Sequence, residues 1–264
     1  MTIPQSSATE LFDMAQSLGF VGVELRNDLP TALFDGKDAR EIGKNAKERG
    51  LRILALAEVY GFNKNSAEKQ AEALNLARQA KNCGAEAIAL IPRIEDAPVA
   101  RSEQRDLLKE ALIALQPMLE NVGMVALIEC LGFANSSLRL KADAVAVLEE
   151  MERPACFGLI HDTFHHALAE EVAIFADLTH IVHISGVTDQ RIGYSDMTDA
   201  HRGLVDCNDT IGNLAQITRL RSAGYTGPFS FEAFSPTVHE LNDPTDALSE
   251  SVAFISSQVA NMAA

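Results

Sequence analysis

The stretch "GLIHDTFHHALAEE" (158–171) places an aspartate and three histidines within six positions, directly behind a short apolar run. The run itself, "FGLIHD" (157–162), has strand length and ends on Asp162. Two readings follow: a metal or catalytic site at a strand end, or only a polar strand end running into a helix. The rest of the chain decides between them.

Six further short apolar runs share that character: "FVGVEL" (20–25), "RILALA" (52–57), "AIALI" (87–91), "MVALIE" (124–129), "HIVHIS" (180–185) and "FSFEAF" (229–234). Amphipathic segments separate them. In "SAEKQAEALNLARQAKNCG" (66–84), Ser66 is a candidate N-cap and Gly84 a C′ residue. Leu74, Ala77 and Ala80 are spaced there to lie against a sheet. Strands alternating with helices predict βα units around a parallel sheet, an α/β chain. No linker or low-complexity block divides the 264 residues, so residues 1–264 read as one domain, a (β/α)8 barrel. A closed barrel of this kind needs eight strands, yet the chain runs straight into a helix over 7–18. The first strand is therefore expected to be absent, irregular at residues 1–5, or encoded upstream of the given start. Absence would leave two unpaired sheet edges.

A net charge of −15 disfavours a polyanion such as nucleic acid and points to a small-molecule partner. The start lacks a basic region followed by an apolar one, and no apolar run approaches the roughly 20 residues of a membrane span, so the expectation is a cytoplasmic protein without a membrane partner. Cys83, Cys130, Cys156 and Cys207 show no CxxC spacing and read as reduced, structural thiols.

In such barrels the chemistry sits at the C-terminal strand ends. The last inward residues of four successive strands are Glu129, Asp162, His183 and Glu232. Period-2 alternation puts Val125, Leu127 and Glu129 on one face, and Gly158, Ile160 and Asp162 likewise. Phe229 and Phe231 fall opposite Glu232 and are expected under the helices. Three carboxylates converging on one mouth repel one another unless a cation offsets them. Three carboxylates with one imidazole suit Mn²⁺, Mg²⁺, Co²⁺ or Zn²⁺, and six-coordination would leave two positions for substrate oxygens. One divalent metal ion is thus the expected cofactor. His161 alternates outward and reads as structural, and His166 carries no functional expectation. His165 either reaches a substrate hydroxyl or carbonyl, or supports Asp162. Arg191 and Arg202 either close over the substrate or are solvated surface groups. Glu24, Arg26, Glu58 and Tyr60 end or follow early strands facing the same mouth, where hydroxyl recognition is open to them, Glu58 above all. Basic groups look few there, which favours a neutral polyol or ketose.

At these residues the chain resembles the xylose-isomerase-like TIM barrels, the superfamily of sugar isomerases and epimerases, inosose dehydratase and the family 2 AP endonucleases. Glu129, Asp162 in "DTFH", His183 and Glu232 in "FEAF" match the metal-ligand pattern of its single-metal isomerases and epimerases. Within that group the likeness is strongest to the inosose (2-keto-myo-inositol) isomerases of inositol catabolism. It runs through "GVELRNDLP", "LALAEVYGFNKNSAEK", "ALIECLGF", "GLIHDTFHH", "IVHISGVTD" and "GYTGPFSFEAFSPTVHEL", in the family's order. Two departures stand out. "HISG" has Gly186 where many relatives carry an acid in "HxxD", and "HRGLVDCND" replaces a glycine-rich "PGxG" loop.

The resemblance implies a metal-dependent isomerase or epimerase that moves a proton next to a carbonyl through an enediolate, with Glu129 and Glu232 as the acid/base pair. A ketose or inosose is the implied substrate, and a homo-oligomer is compatible with it. Two alternatives remain in view: an inosose-dehydratase-type lyase on the same metal site and a non-catalytic sugar-binding barrel. The endonuclease branch uses extra histidines on early strands, and the ends "VELRN", "LALAEV" and "ALIPR" supply none.

Overall fold

Apolar side chains on both faces of a strand require both faces to be covered, and that demand organises this chain. A computed structural model describes residues 1–97 and 99–262. Its strands are β1 (Gly22–Arg26), β2 (Arg52–Tyr60), β3 (Ala87–Ile91), β4 (Val125–Glu129), β5 (Phe157–Asp162), β6 (Thr179–Ile184) and β7 (Phe229–Phe231). They form one sheet in sequence order with every neighbouring pair parallel. The helices are α1 (Ala8–Ser17), α2 (Ala39–Glu48), α3 (Ala67–Cys83), α4 (Arg101–Val122), α5 (Lys141–Glu150), α6 (Thr163–Leu168), α7 (Asn213–Ser222), α8 (Pro236–His239) and α9 (Thr245–Met262). The result is an α/β TIM barrel, nearly closed, of seven strands.

Alternation, offset at Leu54 where the β1–β2 register shifts, separates two apolar layers. Leu54, Ala89, Leu127, Ile160 and Ile181 pack together inside the barrel. Leu56, Ile88, Ile128 and Leu159 face outward into a cluster with Leu76 and Ala77 of α3 and Leu112 of α4. Phe229 and Phe231 pack outward with Ile217 and Leu220 of α7, as their alternation requires. In α3 the Ser66 hydroxyl accepts from Lys69 N and Gly84 adopts φ 74°, as expected of the two caps. The buried face there runs through Ala73, Leu76, Ala77 and Ala80. Leu74 lies at its margin, half-buried, contrary to expectation, because Leu76 takes the central position.

Strand limits differ from the sequence reading in five strands, by only one residue at the start of β4 and at each end of β6. β1 starts at Gly22 rather than 20, and β2 runs on to Tyr60. β7 stops at Phe231: Glu232 N still donates to Ile184 O at 3.0 Å, but Phe234 N and Ser235 N turn to Arg202 O at 2.8 Å each. The loop carrying Arg202 therefore takes over the ladder where the strand ends.

β1 and β7 end the sheet order and do not pair. Residues 1–5, where an irregular first strand was expected, form turns and no strand. Side chains bridge the seam instead. The rings of Phe20 and Phe231 stack at 6.3 Å, and Thr2 Oγ1 donates to Phe231 O at 2.9 Å while accepting from Ala233 N at 3.1 Å. A cavity of about 890 Å³ remains between the edges, lined by Leu11, Val23, Leu54, Ile217, Phe229 and Val252 among others.

Cys83, Cys130 and Cys156 are buried, Cys207 is exposed, and all four are free thiols. Among the described residues no helix is long and apolar enough to cross a membrane.

Candidate metal centre

Glu129 closes β4, Asp162 closes β5, His183 lies one residue from the end of β6, and Glu232 follows β7 directly. Register sets Asp162 directly beside His183, while Glu129 pairs with Ile160 and His183 with Ser230, two residues before Asp162 and Glu232. All four are buried, none more than 5% exposed. One ligand atom from each lies within 4.8 Å of all the others. His183 Nδ1 is 3.2 Å from Glu232 Oε2, 3.7 Å from Glu129 Oε2 and 3.9 Å from Asp162 Oδ2.

These separations can be tested against a cation. Ligand bonds of about 2.0–2.2 Å allow two donors on one ion to lie up to roughly 4.4 Å apart. The three His183 distances fall inside that limit, and all four ligand atoms lie within 4.8 Å of one another. His183 Nδ1 is also a buried nitrogen without a hydrogen-bond partner, aimed at three carboxylates. The donor set of oxygens with one imidazole fits a hard or borderline divalent ion.

Positive charge at the site comes from His183, Arg26 and Arg202. Burial alone would lower the His183 pKa, but Glu232 and Glu24 outweigh it and hold the imidazole well above its ordinary value. Burial would raise Glu232, yet His183 and Arg202 hold it well below the usual carboxylate range. Glu129 is pushed up to about 7 by burial and by the charge of Glu232, and Asp162 is also raised by burial despite Arg202. Buried this close together, the three acids cannot all stay charged on equal terms.

Arg202 is the largest fully buried side chain among the described residues, not a solvated group. Its guanidinium lies between the rings of Phe164 and Phe234, 5.1 and 4.5 Å from their centroids. It donates to Asp162 Oδ2, to Glu232 Oε2 at 2.7 Å and to Ser185 Oγ at 3.1 Å. The loop reaches this depth because Gly186 and Gly203 form an antiparallel bridge. A Cβ at Gly186 would fall 2.6 Å from Leu204 O.

His165, in α6, is buried, with Nε2 3.4 Å from Arg202 Nη1 and 3.9 Å from Glu129 Oε1. Burial, and then the Arg202 charge, lower its pKa to about 3, so it stands beside the clustered carboxylates as a neutral imidazole. Its backbone N–H donates to Asp162 Oδ1 at 2.9 Å, so α6 begins on a ligand. Glu58 accepts from Arg26 Nη2 at 3.0 Å, and burial raises its pKa to about 7. Arg191 does not join the group: its side chain is 91% exposed and pairs with Asp189 on the surface. The physical reason is local, since Asp189 two residues away captures it from both backbone N and Nε. His161 points outward, with Nε2 3.0 Å from Gln216 Oε1, and His166 sits 2.8 Å from Lys141 Nζ.

Two contacts lay beyond the sequence reading. Arg26 donates to Glu232 Oε1 at 2.8 Å and Glu24 faces His183 Nε2 at 3.1 Å, so both serve the ligands rather than meeting only the mouth. Basic groups are consequently less scarce than the sequence suggests. Both guanidiniums are matched by acids, however: Arg26 by Asp28, Glu58 and Glu232, and Arg202 by Asp162, Asp199 and Glu232. The signal for Glu24 and Arg26 was their shared inward face at the end of "GVELR"; nothing local marked their partners.

No curated protein matches the chain. Among solved structures, a xylose isomerase domain containing protein from Salmonella typhimurium LT2 is 29% identical, with a TM-score of 0.88 over 98% of this chain and 94% of that one. The IOLI protein with a bound zinc atom is 17% identical, with a TM-score of 0.82 over 97% and 94%. D-psicose 3-epimerase from Clostridium cellulolyticum H10, solved with D-tagatose, is 13% identical, with a TM-score of 0.72 over 97% and 94%. The last two likenesses concern the fold. A family model described as xylose isomerase-like TIM barrel matches residues 12–258. With that model matching nearly its whole length, the chain belongs to the xylose isomerase-like TIM barrel family.

Proposed function

We propose that this protein is a divalent-metal-dependent isomerase or epimerase of neutral ketoses or inososes, with 2-keto-myo-inositol as the leading substrate. The observation that carries the proposal is the convergence of Glu129, Asp162, His183 and Glu232 on one buried point, with an unpartnered imidazole nitrogen directed at it. These four residues would hold the ion. Bound there, a divalent cation supplies Lewis acidity toward a carbonyl oxygen and the neighbouring hydroxyl.

The chain's own groups account for the rest. Glu129 and Glu232 arrive from strands separated by β5 and β6, so one carboxylate can take the proton from the carbon beside the carbonyl and the other can return one. Arg26 and Arg202 each bind a different oxygen of Glu232, fixing the orientation of that carboxylate. His165 and Arg202, 3.4 Å apart beside the same carboxylates, are the contacts for substrate hydroxyls. Phe164 and Phe234 shield the guanidinium from water. Because the arginines are already matched by acids, a neutral polyol suits the mouth better than a phosphorylated sugar.

Incubation with Mn²⁺ and 2-keto-myo-inositol in D₂O, followed by NMR, tests the proposal. Deuterium should enter the carbon beside the carbonyl and an isomeric inosose should form, both reduced at least roughly 10²-fold in Glu129→Gln and Glu232→Gln. Absence of exchange across a panel of inososes and ketohexoses contradicts it. Release of water with an enone chromophore would indicate a lyase instead.

A further inference from the structure

We infer that Glu24, reaching from β1 across the open side of the barrel, is the positioning residue that holds His183 in place for the cation. The inference rests on the metal centre proposed above. His183 uses Nδ1 toward the carboxylates, so its orientation depends on what Nε2 meets. Nε2 faces both oxygens of Glu24, at 3.1 and 3.2 Å. Both side chains are largely buried, 4% and 13% exposed, so water competes little for this bond. A carboxylate that accepts the Nε2 proton fixes the ring plane, leaves the Nδ1 lone pair free and makes it a stronger donor to a metal.

Position 186, three residues after His183, cannot supply that carboxylate. Residue 186 is glycine, and even a Cβ there would come within 2.6 Å of Leu204 O. The glycine lets the 203–205 backbone approach and seat Arg202, while the acid comes from a strand at the other end of the sheet. Glu24 is therefore a tie across the seam as well as a partner for the ligand. Any substitution that frees His183 should weaken the ion's site without removing one of its four ligands.

Titration calorimetry with Zn²⁺ on the wild type, Glu24→Ala and Glu24→Gln tests this, together with ¹H–¹⁵N spectra of the zinc-loaded proteins. Glu24→Ala should weaken Zn²⁺ binding roughly 10–100-fold and remove the downfield signal of a hydrogen-bonded Nε2–H. Glu24→Gln, whose amide oxygen still accepts, should fall between and keep that signal. A purely packing role would lower the melting temperature and leave both readings unchanged. Unaltered Zn²⁺ affinity in Glu24→Ala, or in Glu24→Gln if the alanine variant does not fold, overturns the inference alone. Failure of the wild type to bind Zn²⁺ overturns the metal centre and this role with it.

Discussion

Arg202 shows how much a single residue must do in this mouth. Fully buried, it pairs with both Asp162 and Glu232. Removing one partner of a buried pair commonly costs about 3–5 kcal/mol because the other charges stay buried. Arg202→Met should show a loss of that order in urea unfolding with chelator present, and Mn²⁺ should restore part of it by offsetting the same carboxylates. Arg202→Lys should rescue poorly, since one ammonium cannot reproduce the planar fork. An equal loss with and without Mn²⁺ would place the ion elsewhere. His166 gives a pH prediction away from the ligands. Burial, and then Lys141, lower its pKa from 6.5 to about 3, consistent with its Nδ1 accepting from Lys141 Nζ. The unfolded chain therefore binds a proton that the native state refuses, so stability present above pH 6.5 is lost as pH falls toward 3. One such group contributes a slope of up to about 1.4 kcal/mol per pH unit. His166→Gln should flatten the fall of the urea midpoint over that range by about this share, while His161 and His165 keep theirs, being lowered in the same direction.

Among the elements, the seam is the place where the barrel is least held by its backbone. β1 and β7 each pair on one side, whereas β3, β4 and β5 pair on both. Hydrogen exchange should be faster in β1 and β7 than in β3 to β5, and equal protection throughout would contradict this topology. The β6–α7 loop depends on the close approach at Gly186, so Gly186→Ala should displace Arg202 and lower activity while leaving the four ligands in sequence intact. A Gly186→Ala enzyme of full activity would show that the loop can give way. The strands were readable from sequence because inner and outer faces are both apolar, and the clustering of Glu129, Asp162, His183 and Glu232 because a period of two marks the last inward residue. The end of β7 was not readable, since Arg202 O replaces the ladder partner from a loop distant in the chain. Nor were the partners of Arg26 and Glu24, separated from them by 206 and 159 residues. Arg191 and Arg202 look alike in sequence, and only the depth of the loop separates a surface pair from a buried one.

At the scale of the whole molecule, the net charge of −15 draws cations toward the protein, and the strand ends concentrate three acids at one buried point. A native state that binds an ion its unfolded chain does not is stabilised by about 2.7 kcal/mol at a free ion concentration 100 times the dissociation constant. The melting temperature should accordingly rise with Mn²⁺ and fall with chelator. The most direct measurement of the central claim is calorimetric titration of the metal-free protein with Mn²⁺. One ion per chain should bind in the wild type, and binding should be lost in Asp162→Asn and in His183→Ala. No binding to the wild type, or binding untouched by both substitutions, would contradict the account.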